Sequence, residues 1–441
     1  MQRTHLLQNR EYTNSQHWQN KKRTEIIMAS NSKGKQNTLQ GLDRNIWVLT
    51  ATSFFNDISS DMILNLIPLF LTGVLGQTTA VVGLIEGIAE TTSSMMKVFS
   101  GGLSDRLGKR KWLAALGYGL SAVSKPFLYI ARSWGVVLGV RFSDRFGKGI
   151  RTAPKEALLS QSAPKEKRGL AFGIHRAGDS AGAFLGILIA TLVIWRTQDQ
   201  PGTLSAETFR RVVLFSMIPA FLAVLVLIFG AREVDVARSS EGDKLPVFAF
   251  RGMDRRFLRF LWIMVLFTLG NSSDAFIILL GQERGLTILA VMGMLLTFNA
   301  VYTVLSGPAG ALSDRIGRRK LIIFGWLAYG LIYLGFALTR TGTGIWVFFG
   351  LYGVYYAAIE GVSKAYIADL VPAEKRATAY GLFSAAVGLT AFPASLIAGV
   401  LWQGVGMWAG FGPSAPFLFG GGLALIAVAL FGFWLPKAES G

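Results

Sequence analysis

The sequence predicts an all-α integral membrane protein with about twelve spanning helices in two six-helix halves. Three observations carry that expectation. Beyond residue 45 the chain resolves into apolar runs of roughly 20 residues, the length that crosses a hydrocarbon core. The short loops between runs alternate between basic and nearly free of Lys and Arg. One eleven-residue stretch, GGLSDRLGKRK at 101–111, returns as GALSDRIGRRK at 310–320, about half the chain later. A repeat that wide marks two homologous halves, since solenoid periods are only about 20–50 residues.

Taken in order, residues 1–45 are polar and hold no apolar run long enough for a signal peptide. A disordered cytoplasmic tail is expected there. Six spans follow near 46–75, 79–103, 112–131, 134–158, 168–194 and 210–230, so the N-terminal half occupies 46–230. The interval 231–256 is charged, contains Pro246 and reads as a cytoplasmic linker. Six more spans fall near 257–280, 286–311, 320–339, 344–369, 377–403 and 414–435, giving a C-terminal half over 257–436 and a short tail, 437–441. Pro219 and Pro393 are expected to kink helices six and eleven. Trp112, Trp134 and Trp346 lie near run ends, where indole rings anchor at the membrane interface.

Loop charge sets the expected orientation. The tail, the 104–111 loop, the 159–168 loop, the linker and the 313–320 loop are all basic, while 76–78 and 404–413 are not. By the positive-inside tendency both termini are cytoplasmic, in a multi-pass protein of the cell's inner membrane. The loop at 196–211, with Arg196, Arg210 and Arg211, is the exception, offset in part by Asp199 and Glu207.

Composition narrows the function classes. Hydrophobic residues make up 51% of the chain and charged residues 16%, against about 25% charged in a soluble domain. The formal charge of +18 would suggest nucleic acid in a soluble protein. Here it is concentrated in short loops, where topology and attraction to anionic lipid account for it, and no nucleic-acid partner is expected. There is no Cys, and the three His (His5, His17 and His175) are too few and scattered for a metal cluster. No Walker loop, H-E-x-x-H, G-x-S-x-G or Ser-His-Asp arrangement is present. Neither an enzyme nor a cofactor is expected.

The duplicated loop has readable physics. Gly101 and Gly310 suit close helix approach where a helix ends, and Gly108 and Gly317 suit the left-handed position of a tight turn. Asp105 and Asp314 can accept from helix N-termini or pair with arginine. Arg106, Arg110, Arg315 and Arg318 complete the two copies. Ser59-Ser60-Asp61 in helix one is matched by Ser272-Ser273-Asp274 in helix seven, and Pro164 to Arg168 by Pro372 to Arg376. The pattern G-x-L-x-D-R-x-G-R/K-R-K between helices two and three, repeated between eight and nine, resembles the signature loop of major facilitator superfamily transporters. The resemblance spans about 44–436. It implies a secondary transporter whose halves rock about a central site, with these loops as conformational switches.

Ionisable side chains inside spans are costly, about 2.5–3.5 kcal/mol at the bilayer centre, so each is a functional candidate. Asp57 and Asp61 are i, i+4 on helix one, and Glu86, Glu90 and Lys97 share a face of helix two. Helix four carries Arg141, Asp144, Arg145, Lys148 and Arg151, and helix five His175, Arg176 and Asp179. Acids on helices one and two are expected to face bases on four and five across an aqueous cavity; buried ion pairs that only fix packing are the alternative. Asp57, Asp61, Glu86, Glu90, Asp179, His175 and Arg141 are the proton-coupling candidates. Arg141 falls where the family has its helix-four arginine, which implies that role by resemblance, although the family's R-x-x-Q-G-x-G is broken here by Asp144, Arg145 and Lys148. Substrate-cavity candidates are Arg145, Arg176, Asn271, Asp274, Asn299, Glu360 and Lys364, with Tyr302, Tyr352, Tyr355 and Tyr356 as further lining. Glu360 and Lys364 are i, i+4 and equally suited to pair with each other. The expected function is proton-coupled export of a small organic solute, such as a drug or siderophore-like metabolite. Uptake of an anionic metabolite and a non-transporting receptor or scaffold are the alternatives.

Overall fold

The protein was analysed as a computed structural model that describes residues 42–164, 167–198, 202–234, 253–372 and 375–434. Of Asp105, Arg106, the stretch 307–315, Glu360 and Lys364 only the backbone is described. The tail expected up to 45 lies outside the described residues as far as 41, as do the linker over 235–252 and the tail 437–441.

Twelve helical spans build the unit Arg44–Gly441. They are α1 (Arg44–Leu64, continued by Ile67–Leu69 and a π-turn Phe70–Val74), α2 (Thr79–Leu107), α3 (Arg110–Ser124, continued by Pro126–Tyr129), α4 (Trp134–Gln161), α5 (Arg168–Thr197) and α6 (Ala206–Gly230), then α7 (Arg255–Gly270, continued by Ala275–Glu283), α8 (Ile288–Ile316), α9 (Arg318–Leu338), α10 (Gly342–Leu370), α11 (Arg376–Gln403) and α12 (Ala415–Trp434). Among the described residues the only strand-like pairing is one isolated bridge, Val405 to Trp408. Nine helical segments are long and apolar enough to cross a membrane among the described residues. Helices α2, α3 and α4 do not reach that standard. The first and last carry the intramembrane charges, and α3 is interrupted at Lys125.

Helix ends follow local chemistry. Ser205 Oγ accepts from Thr208 N at 3.1 Å to start α6, and Thr341 Oγ1 from Gly344 N at 3.2 Å to start α10. Gly108 ends α2 at φ 62°, with its N–H on Ser104 O at 3.0 Å, and Gly317 separates α8 from α9 at φ 89°. The duplicated loop is therefore mostly helix. Asp105 and Arg106 lie in the last turn of α2, and only Gly108 and Lys109 separate α2 from α3. Gly101 is likewise inside α2 rather than at its end, with Ala153 Cβ of α4 in ordinary contact at 3.8 Å.

The breaks in the helices lie away from the two prolines expected to kink helices six and eleven. Helices α6 and α11 run unbroken through Pro219 and Pro393. The breaks are instead in α1 at Asn65–Leu66, in α3 before Pro126, and in α7 over Asn271–Asp274. Prolines inside a span lose one backbone bond but keep their helix where neighbours hold it. At the α7 break, Gly270 ends one segment and Ser273 Oγ accepts from Ala275 N at 3.3 Å to begin the next.

The halves meet chiefly along α2 and α11, with α5 against α8. Small residues bring α2 and α11 together on the face away from the termini. Cβ atoms on Gly83, Gly388 and Gly399 would overlap Ser395, Ser94 and Thr79, and Gly87 lies against Phe392. Thr79 N donates to Gln403 Oε1 at 2.8 Å, and Thr91 Oγ1 to Gly388 O at 2.7 Å. Close backbone approach of this kind is how helices associate where no hydrophobic drive exists between them. Gly381 has no neighbour within 4 Å of its Cβ position.

The halves differ inside. The C-terminal half has an aromatic core of Phe267, Trp326, Tyr329, Tyr333, Phe336 and Tyr352. The N-terminal half buries charged groups beside its apolar core. Buried Lys125 donates to Ser59 Oγ at 2.6 Å and Ser60 Oγ at 3.2 Å, and Arg151 bonds Ser121 Oγ at 2.8 Å while its guanidinium sits 4.4 Å from the centre of the Tyr118 ring.

Candidate functional site

A cavity of about 450 Å³ lies between the halves. From the N-terminal half, α1 contributes Asp61 and Asn65, α2 Glu86 and Glu90, and α4 Arg141 and Arg145. From the C-terminal half come Asn271, Ser272 and Asp274 at the α7 break, Tyr356 on α10, and Gly388 and Ala391 on α11. The breaks in α1 and α7 both reach it, through Asn65 and Asn271–Asp274. Interrupted helices in corresponding positions of two repeats are where transporter folds place their sites.

The acids of α2 face the bases of α4. Arg141 is hydrogen-bonded to Glu86, with both side chains almost wholly buried. Arg145 Nη2 stands 3.3 Å from Glu90 Oε1, and Glu90 keeps 43% of its side-chain surface exposed. Nε and Nη1 of Arg141 and Nε of Arg145 have no protein partner among the described residues. These atoms are buried, and each guanidinium is committed to its carboxylate through Nη2. No donor or ion-pair partner among the described residues sits on the Asp61 carboxylate, which lines the same space.

On the opposite wall Tyr352 donates its hydroxyl to Asp274 Oδ1 at 3.2 Å. Tyr329 and Tyr333 donate to Asn271 Oδ1 at 3.1 and 3.4 Å. Tyrosines expected as lining thus divide. Tyr356 lines the cavity, while Tyr352 and Tyr355 are buried behind it, and Tyr352 orients Asp274.

The remaining candidates lie off the cavity lining, while Asp57 acts electrostatically on Asp61, and Lys148 of α4 on Asp57, Glu90 and Asp179. Asp57, His175 and Asp179 do not line the cavity. His175 Nε2 is 3.8 Å from Asp179 Oδ2, and Asn56 Nδ2 donates to Asp57 Oδ1 at 2.9 Å. Lys155 donates to Ser53 Oγ at 3.2 Å in the same region and acts electrostatically on Asp57 and Asp179. Arg176 crosses from α5 to hydrogen-bond Tyr302 on α8, with its guanidinium 5.6 Å from the ring centre. Asn299 donates to Leu295 O at 3.0 Å within its own helix. Asp57 and Asp61 lie one turn apart, and only the second reaches the central space.

In the switch loops, Arg318 pairs with Asp369 at the end of α10, and Arg110 is buried at the start of α3. Glu360 and Lys364 lie on α10, their side chains outside the described residues, as are those of Asp105, Arg106, Asp314 and Arg315; Gly310 lies on α8. Sequence reading missed Lys125 and Ser272. The first had a signal, a lysine inside an apolar run directly before Pro126. Glu233, just beyond α6, accepts from Lys111 N at 3.0 and 3.2 Å and so caps α3, a contact no spacing rule reveals.

Twelve helices around a polar cavity between two halves are the architecture of a membrane transporter. A family model of the Major Facilitator Superfamily matches residues 49–301 and 272–441. The chain belongs to the major facilitator superfamily. It is 37% identical over 392 residues to an uncharacterized MFS-type transporter of Methanocaldococcus jannaschii, covering 88% of this chain and 94% of that one. It is 25% identical over 313 residues to the multidrug resistance protein MdtG of Rahnella sp., covering 68% of this chain and 72% of that one. Among solved structures, the nucleoside transporter NupG superposes with a TM-score of 0.75 at 14% identity, covering 89% of this chain and 100% of that one. A POT family transporter in complex with 5-aminolevulinic acid gives 0.73 at 13%, covering 91% and 98%. The last two share the fold.

Proposed function

We propose that the protein exports a small organic solute in exchange for protons, by alternating exposure of the central cavity across a cell's inner membrane, with both termini cytoplasmic. The observation that carries this reading is the pairing of Glu90 with Arg145 at the cavity wall. Glu90 is half-exposed to the cavity and held by a cation that a proton or a solute can displace. A carboxylate in that position exchanges its partner as the cavity changes access, which is the elementary step of coupling. Basic loops on the terminus face support the orientation. Similarity to MdtG, a multidrug resistance protein, supports export.

Uptake of an anion is the weaker reading. Arg141 and Arg145 are both committed to carboxylates, and Arg176 engages Tyr302 away from the cavity. The lining carries four carboxylates (Asp61, Glu86, Glu90, Asp274) and two guanidinium groups, so it is acidic.

The test is transport in proteoliposomes with an acidic lumen, using a panel of quaternary ammonium solutes, which cannot accumulate by pH partition. Accumulation that collapses with the pH gradient and is lost in Glu90→Gln is expected. Accumulation indifferent to the gradient would refute proton exchange.

A further inference from the structure

We propose that the break in α7 is a binding site for an ammonium group, so that the solute carried is an organic amine or related cation. This rests on reading the central cavity as the transport site. Asp274 is the acceptor. It lies between the two segments of α7 and lines the cavity. Tyr352 occupies Oδ1 at 3.2 Å, which orients the carboxylate and leaves Oδ2 without a hydrogen bond among the described residues. No lysine, arginine or histidine reaches the cavity from the C-terminal half among its described lining residues. Asp274 therefore differs from Glu86 and Glu90, each of which already holds an arginine.

A second observation points to a ligand independently. Ser272 is 6% exposed, belongs to the same lining, and its Oγ makes no hydrogen bond of ordinary geometry among the described residues, with the Tyr333 hydroxyl its neighbour. A buried hydroxyl without a well-formed hydrogen bond is costly, at about 1–3 kcal/mol, unless something arrives to satisfy it. An ammonium carries three donors and no acceptor, so it can engage the Asp274 carboxylate and the Ser272 hydroxyl together. Tyr356 completes the site. It lines the cavity and packs edge-on against Tyr352 at 5.0 Å between ring centres. A tyrosine face beside a carboxylate favours a cation further, through the ring quadrupole. Neutral solutes gain at most a hydrogen bond from the carboxylate and no charge pairing, and anions are repelled by it. The surrounding Tyr329, Tyr333 and Tyr355 are buried and fix the wall in place before the solute arrives.

The experiment compares binding of benzylamine, benzyl alcohol and benzoate to the purified full-length protein by calorimetry. These probes share a ring and differ in the charge of one group. Benzylamine is expected to bind at least about tenfold more tightly than benzyl alcohol, which is about 1.4 kcal/mol. Asp274→Asn should erase that preference, and Ser272→Ala should reduce it several-fold. Asp274→Glu should retain it, which separates loss of charge from loss of fold. Equal binding of amine and alcohol, preference for benzoate, absence of binding by all three, or an amine preference that survives Asp274→Asn would each overturn the proposal. Amine binding with no gradient-driven transport would leave the site standing and refute proton exchange instead.

Discussion

Glu86 and Glu90 on α2 hold Arg141 and Arg145 on α4 in two successive rungs, each pair one helical turn from the next. The spacing is i, i+4 on both helices, so two acids meet two bases in register. The rungs differ in environment. Arg141 and Glu86 keep 3% and 8% of their side-chain surface, whereas Arg145 and Glu90 keep 10% and 43%. The inner rung is structural in character, and the outer one is placed to exchange partners.

That contrast predicts different costs of mutation. Arg141→Met leaves the Glu86 carboxylate buried without its cation, and about 3–5 kcal/mol of stability should be lost. The double variant Glu86→Gln with Arg141→Met should recover most of that. Thermal unfolding in detergent reads both.

At the exposed rung the order reverses. Arg145→Gln should cost little stability, about 1 kcal/mol or less, because solvent screens the Glu90 carboxylate that remains. Gradient-driven transport should nevertheless fall at least tenfold. Equal losses of stability in Arg141→Met and Arg145→Gln would contradict the division of roles.

The seam between α2 and α11 makes a conformational prediction. A side chain on Gly83 would meet the carbonyl of Ser395, and one on Gly399 the carbonyl of Thr79. Gly83→Leu should therefore prise the halves apart on the face away from the termini. In a chain without cysteine, a single introduced thiol at Ala391 on the cavity wall reports this. Its labelling from that face should rise several-fold in the Gly83→Leu background.

The contact of Arg176 with Tyr302 ties α5 to α8 across the halves. Tyr302→Phe removes the hydroxyl and keeps the ring, so the closure it supports should weaken by about 1 kcal/mol, the net worth of one hydrogen bond. Labelling at the same Ala391→Cys position should shift by about fivefold between faces.

Much of this architecture is legible in the sequence because a bilayer imposes a length and a charge rule on every span. The run expected at 168–194 is the helix Arg168–Thr197, and that at 377–403 is Arg376–Gln403. The duplicated loop gave the two halves and the left-handed glycines Gly108 and Gly317. Rotation about each helix was less readable. Asp57 and Asp61 share a face by spacing, yet only Asp61, one turn further along α1, lines the cavity. The break in α7 was not foreseen, because Ser272, Ser273 and Asp274 read as polar residues within a helix. Their role depends on Tyr352, Tyr329 and Tyr333, which arrive from α9 and α10.

Alternating access of the cavity is the central claim, and the thiol of Ala391→Cys tests it most directly. Membrane-impermeant reagents would be applied to each side of sealed vesicles, with and without a pH gradient. The account predicts labelling from both sides, with the ratio moved by the gradient and the move abolished in Glu90→Gln. Labelling from one side only, unchanged by the gradient, would contradict it.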